Sequence, residues 1–166
     1  MEWMKNRYER AIAMIGNVIE FYDSDRMFPV YGFGACPQGS NSTNHCFAIN
    51  GNENNPEVPG VAGIMNAYHA ILPAIRFSGP TFFAQILAKA TSYEIWNRMM
   101  IIRIASIIQQ QRNKYLVLLI ITDGAIHDME ETIRLLVNGS NLPLSVLIVG
   151  VGNDDFSNME VCMKIE

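Results

Sequence analysis

Residues 116–122, LVLLIIT, form an uncharged run closed directly by Asp123 and Gly124. A short apolar run of this length, rich in β-branched residues and ended by a turn signal, is the pattern of a strand buried on both faces. Such a strand must be covered by helices, which commits the chain to an α/β fold. Residues 126–137 follow with helical spacing, placing Met129, Ile133, Leu136 and Val137 on one side. Strand, acidic turn and helix make half of a βαβ unit. Asp123 stands at the carboxyl end of the strand, the edge where open α/β sheets place their ligands. An isolated Thr-Asp-Gly serves equally well as a turn and helix-start cap, so position alone leaves both roles open.

A second apolar strand, LPLSVLIVGVG, occupies 142–152, and a further helix should begin at Asn153. Ahead of the central strand, Tyr8, Ala11, Ile12, Ile15, Val18 and Ile19 recur at three- and four-residue steps and predict an opening helix. Asp23 and Asp25 end it; two carboxylates at this spacing suit a solvated turn better than a metal pair. Residues 27–35 read as one strand, with Pro29 near its start where proline is tolerated. A polar loop at 36–44 and a return strand at 45–49 complete a hairpin at the sheet edge, and 50–57 is loop by composition. A second helix runs over 60–75 with Val61, Ile64, Met65, Tyr68 and Leu72 on its apolar side. Thr81, after a Gly79-Pro80 turn, is placed to cap a third helix over 82–111 that breaks near Thr91 and Ser92. Periodicity thus gives a doubly wound, mostly parallel sheet in a single domain.

The 166 residues, 49% of them hydrophobic, supply enough apolar material for one core. The formal net charge of −4 lacks the clustered basic face of a nucleic-acid binder, so no nucleic-acid partner is expected. Cys36, Cys46 and Cys162 form no paired framework, which favours a reducing, cytosolic setting. Adjacent His45 and Cys46, with Cys36, lack zinc-ligand spacing, and His69 reads as a surface or satisfied core histidine. Neither a dinucleotide-binding glycine motif, a phosphate-binding loop nor a serine nucleophile elbow occurs, so an enzyme is not expected. The segment 95–108, apolar except for Arg98 and Arg103, is too short to cross a bilayer and either packs on the sheet or lies on a membrane surface.

Several blocks, in order, carry a family resemblance. YDSDRMFPVYGFGA at 22–35, FAINGN at 47–52, NPE at 55–57 and GVAGIMNAY at 60–68 are four of them. SGPT at 78–81, TDGAIHDM at 122–129 and LPLSVLIVGVGN at 142–153 are the others. Together they resemble the von Willebrand factor A-type domain of copines over nearly the whole chain. The resemblance implies a non-enzymatic protein-interaction domain. It comes from a cytosolic family that binds phospholipid membranes in a calcium-dependent way and is peripheral to the plasma membrane in its full-length context. It also implies a metal-ion-dependent adhesion site for Mg²⁺ or Mn²⁺, in which Thr81 matches the family's threonine and Asp123 its aspartate.

The same resemblance implies departures. The first central strand, its D-x-S/T-x-S metal loop and the lipid-binding modules should precede Asn6, and the last strand should follow Met159. The chain therefore reads as a single partial domain over 1–166, truncated at both ends, with an incomplete metal site in which Thr81 and Asp123 bind the ion weakly or not at all. Phe82 and Gln85 also stand where copines carry asparagine and proline. Two other functions are weighed beside protein interaction: membrane-surface binding through 95–108, and phosphoryl transfer on an α/β scaffold, which has no supporting motif.

Overall fold

The computed structural model describes residues 6–92, 115–153, 156, 157 and 159. Four helices and eight short strands make a mixed α/β structure among them. Helix α1 (Arg7–Tyr22) opens on a capping arrangement: the Asn6 side chain accepts the Glu9 N–H at 2.9 Å, and its amide donates back to the Glu9 carboxylate at 3.3 Å. The N–H groups of the first turn have no intrahelical partner, so this exchange is what lets the helix begin at that point. Glu9 is buried and meets His69 at 3.0 Å, tying α1 to helix α2 (Gly60–Ile71). The two helices close in where Gly16 leaves room for Val61, whose Cγ2 lies 3.0 Å from the place a β-carbon on Gly16 would take.

The single strand expected over 27–35 is three pieces, β1 (Met27–Pro29), β2 (Tyr31–Gly32) and β3 (Ala35–Pro37). Each piece has its own antiparallel partner. β1 pairs with β5 (Glu57–Pro59), β2 with β4 (Phe47–Ala48) and β3 with β6 (Ile75–Phe77). The breaks have local causes. Pro29 has no N–H to continue a ladder, and Gly34 takes φ +64°, which turns the chain before β3. The expected 27–35 and 45–49 hairpin survives only in the β2–β4 pair and one isolated Ala35–Asn44 bridge. Strands β5 and β6 fall in segments read as loop and helix end; α2 stops at Ile71, and a 3₁₀ turn at Leu72–Ala74 carries Pro73 into β6. The turn after α1 is as expected: Asp25 accepts the Met27 N–H at 3.0 Å across Arg26, whose φ is +53°.

The central run is β7 (Leu116–Thr122), paired in parallel with β8 (Leu144–Gly150) in full seven-residue register. All sheets among the described residues are two-stranded, and β7 is not joined to β1, β2 or β3. A continuous doubly wound parallel sheet is therefore not what these residues form. Helix α3 (Ala84–Ala90) ends at Thr91, whose hydroxyl donates back to Leu87 O at 2.9 Å. The break expected near Thr91 is present, while the apolar stretch 95–108 lies outside the described residues.

Helix α4 (Met129–Gly139) starts three residues later than its periodicity suggested and is turned slightly about its axis. Thr132 and Gly139 are its buried residues, and Val137, expected inside, is 48% exposed. Gly139 is inside because its missing side chain admits Thr91, whose Cγ2 is 3.2 Å from the ideal β-carbon position. The core closes around Phe83, Leu87, Ile120, Ile126 and Met159. Full burial of Phe83 alone contributes about 1.5–3 kcal/mol.

Candidate functional site

The parallel register of β7 and β8 brings the ends of both strands to one edge. Val151 N–H donates to Thr122 O at 2.7 Å and holds the two exits together. Thr122 is buried and its hydroxyl accepts the Gly124 N–H at 3.4 Å, so the chain turns sharply and leaves Asp123 exposed at the rim. The start of α1 faces this edge. Asn6, Arg7, Tyr8, Asp123, Val151, Gly152 and Asn153 together line an open cleft of about 630 Å³.

Inside it, the Tyr8 phenol faces the Asp123 carboxylate. Burial first, then the negative charge of Asp123 and the hydrogen bond to it, hold Tyr8 far above the ordinary phenol range. Tyr68 stacks against Tyr8 with ring centroids 6.3 Å apart and is itself raised, chiefly by burial. The Arg7 guanidinium lies over Gly152: a β-carbon there would be 3.3 Å from Arg7 Nη1 and 3.8 Å from Asp123 Cβ. Gly152 takes φ +134°, a conformation other residues rarely adopt, and its lack of a side chain keeps this space open.

Of the two residues matched to the adhesion-type metal site, Asp123 lines the cleft and Thr81 does not. Thr81 is instead locked to the loop after β7. Its N–H donates to His127 Nδ1 at 3.2 Å, and its carbonyl accepts the His127 N–H at 3.0 Å. The capping role expected of Thr81 belongs to Asp128. Its carboxylate accepts the N–H of Phe83 at 2.9 Å and of Ala84 at 2.8 Å, across from α4, so helix α3 starts at Ala84 rather than at 82. A carboxylate spans two N–H groups at once and carries a full charge to the helix start, which a threonine hydroxyl cannot do.

The ions expected at an adhesion-type site are Mg²⁺ and Mn²⁺. Such ions take near-octahedral oxygen ligands. Among the described residues the cleft offers one carboxylate, Asp123, flanked by a phenol and a guanidinium, and no cluster of three or more acidic, histidine or cysteine side chains occurs. The described residues do not fit a resident divalent ion. Cys36 donates its thiol to Ser40 O at 2.9 Å, and His45 packs on Phe82 with ring centroids 4.7 Å apart. No described helix is long and apolar enough to cross a membrane.

Sequence reasoning placed Asp123 at the functional edge but missed Arg7, Tyr8, Asn153 and Asp128. The Asn-x-x-Glu pattern at 6–9 was a readable signal for a helix start there. Which strand end that start would face depends on tertiary packing.

A copine family model matches residues 2–164. The chain is 47% identical to Protein BONZAI 2 of Arabidopsis thaliana over 156 residues, covering 94% of this chain and 25% of that protein. It is 46% identical to Copine-C of Dictyostelium discoideum over 154 residues, 93% of this chain and 26% of the relative. Copine-A of the same organism is 41% identical over 157 residues, 94% and 24% of the respective lengths. The chain thus spans about a quarter of the length of these relatives. A match to the family model over almost every residue, supported by these identities, decides the assignment: the chain belongs to the copine family.

Proposed function

We propose that this chain is a non-enzymatic protein-interaction domain that engages its partner at the cleft around Asp123. The observation that carries this reading is the convergence of the α1 start with the carboxyl ends of β7 and β8, where open α/β folds place ligands. On this reading the fold is the von Willebrand factor A type. Its doubly wound sheet is completed when a strand lies between the β1–β3 pieces and β7, two sets that do not pair with each other. Calcium-dependent phospholipid binding belongs to the longer family context and reaches this chain only there, at the cytoplasmic face of the plasma membrane. Thr81 and Asp123 are then vestiges of the family's Mg²⁺ or Mn²⁺ positions, which bind such an ion weakly or not at all.

Asn153 is exposed at the cleft rim, so Asn153→Trp should block the cleft without touching the core. The immobilised chain is expected to retain cytosolic proteins that the Asn153→Trp variant does not. An identical retained set, or none, would contradict the reading. Co-sedimentation with phosphatidylserine vesicles supplies the second arm: the chain is expected in the supernatant with and without calcium. Calcium-dependent pelleting would place the membrane activity in this chain itself.

A further inference from the structure

We propose that the Arg7 guanidinium is the working cation of the cleft, taking a carboxylate of the protein partner directly and without a divalent ion. This rests on the interaction-domain reading and specifies its chemistry. Arg7 Nη1 and the Asp123 side chain border the same small volume above Gly152, at 3.3 Å and 3.8 Å from the missing β-carbon. A positive charge therefore already stands beside Asp123, where a divalent ion would otherwise be drawn, and it repels a second cation.

Arg7 is exposed and, among the described residues, forms no ion pair, so its donors are open to a ligand. Asp123 shares the cleft with Tyr8 and, among the described residues, forms no ion pair with Arg7. The planar fork of a guanidinium matches a carboxylate through two parallel N–H···O bonds. Asp123 decides between the oxyanions that suit arginine: its charge penalises a dianionic phosphate more than a monoanionic carboxylate. A cleft of about 630 Å³, open to solvent, is wide enough to admit an aspartate or glutamate side chain from another protein.

The test is an NMR titration of the ¹⁵N-labelled 166-residue chain, following the Arg7 side-chain Nε–H and the Gly152 amide. The probe is a blocked tetrapeptide carrying one aspartate, with its asparagine counterpart as control, in EDTA and in excess Mg²⁺. The aspartate peptide is expected to bind equally in both buffers and the asparagine peptide to bind at least about tenfold more weakly. Arg7→Gln should lose about the same factor, and Arg7→Lys, which keeps the charge but not the fork, should fall between. Asp123→Asn separates the two chemistries by sign: removing a neighbouring negative charge strengthens binding to a guanidinium, whereas a metal site would lose its ligand.

Binding that requires Mg²⁺ and disappears in Asp123→Asn overturns the proposal, as does no binding of the aspartate peptide at millimolar concentration. If partner retention is lost in Asn153→Trp yet unchanged in Arg7→Gln, the interaction-domain reading stands and this one falls. Each variant is first checked for a native circular dichroism spectrum; Arg7 and Asp123 are both exposed, so the fold is expected to persist.

Discussion

Replacing Asp128 tests how the two halves of the site edge are held together. Its carboxylate accepts Phe83 N–H at 2.9 Å and Ala84 N–H at 2.8 Å, and it takes the Thr132 hydroxyl at 3.3 Å. Phe83 and Thr132 are both 0% exposed, so neither donor can turn to water when the carboxylate is removed. Loss of a helix cap costs about 0.5–2 kcal/mol, and a stranded buried donor about 1–3 kcal/mol. The terms overlap, because the cap is made of the same hydrogen bonds, so Asp128→Ala is expected to cost about 2–4 kcal/mol in total. Asp128→Asn keeps one acceptor oxygen and should cost roughly half as much. Urea unfolding followed by circular dichroism measures both, with an unchanged m-value as the sign that stability alone has moved. In a cycle with Thr132→Val, Asp128→Ala should be less damaging, because the stranded hydroxyl is gone, with a coupling of about 0.5–3 kcal/mol. An Asp128→Ala variant within about 0.5 kcal/mol of the parent, the range of ordinary surface changes, would refute the reasoning.

Three further outcomes follow from the packing and the charges. Gly32→Ala should destabilise by about 1–3 kcal/mol, because its β-carbon would fall 2.5 Å from Phe47 Cζ in the β2–β4 pair; a neutral change in the same urea assay contradicts that packing. Tyr8 ionises in the fold only well above its ordinary value of 10.0, so its contribution to stability is whole below that pH and is lost as pH rises beyond it. Tyr8→Phe should therefore flatten part of the alkaline fall in melting temperature, and an unchanged alkaline profile would speak against the buried phenol. Burial pushes the Cys46 thiol up, so iodoacetamide at pH 8 should label it several-fold more slowly in the native chain than in urea. Equal labelling rates, read by mass spectrometry of its peptide, would show an open thiol.

What could be read from the residues differs between the two halves of the chain. Leu116–Thr122 and Leu144–Gly150 were legible as strands because each is an unbroken apolar run, but burial on both faces is not what they show: Val117 and Leu147 are exposed, and only Ile120 and Thr122 of the two strands are buried. The 27–35 segment was not, because its three pieces change partner twice. Strands β5 and β6 are three residues each, too short to show an alternation of their own. The rotation of α4 came from Thr132, whose hydroxyl is buried because Asp128 accepts it, a contact no hydrophobic pattern records. Asp123 was legible as a strand-end residue. Its neighbours Arg7 and Tyr8 lie more than a hundred positions away and are brought to it by packing alone. Asp128 was hidden for a related reason: it sits at the start of α4 but caps α3.

A folded copine-family domain whose Asp123 cleft holds no resident divalent ion should melt without regard to Mg²⁺. Thermal unfolding of residues 1–166, followed by far-UV circular dichroism with and without excess Mg²⁺, addresses this most directly. A ligand present at about 100 times its dissociation constant adds roughly 2.7 kcal/mol, which is readable as a rise in melting temperature. One cooperative transition is expected, with the same midpoint in Mg²⁺ and in EDTA. A midpoint that rises with Mg²⁺ in the parent chain but not in Asp123→Ala would contradict this, as would the lack of any cooperative transition.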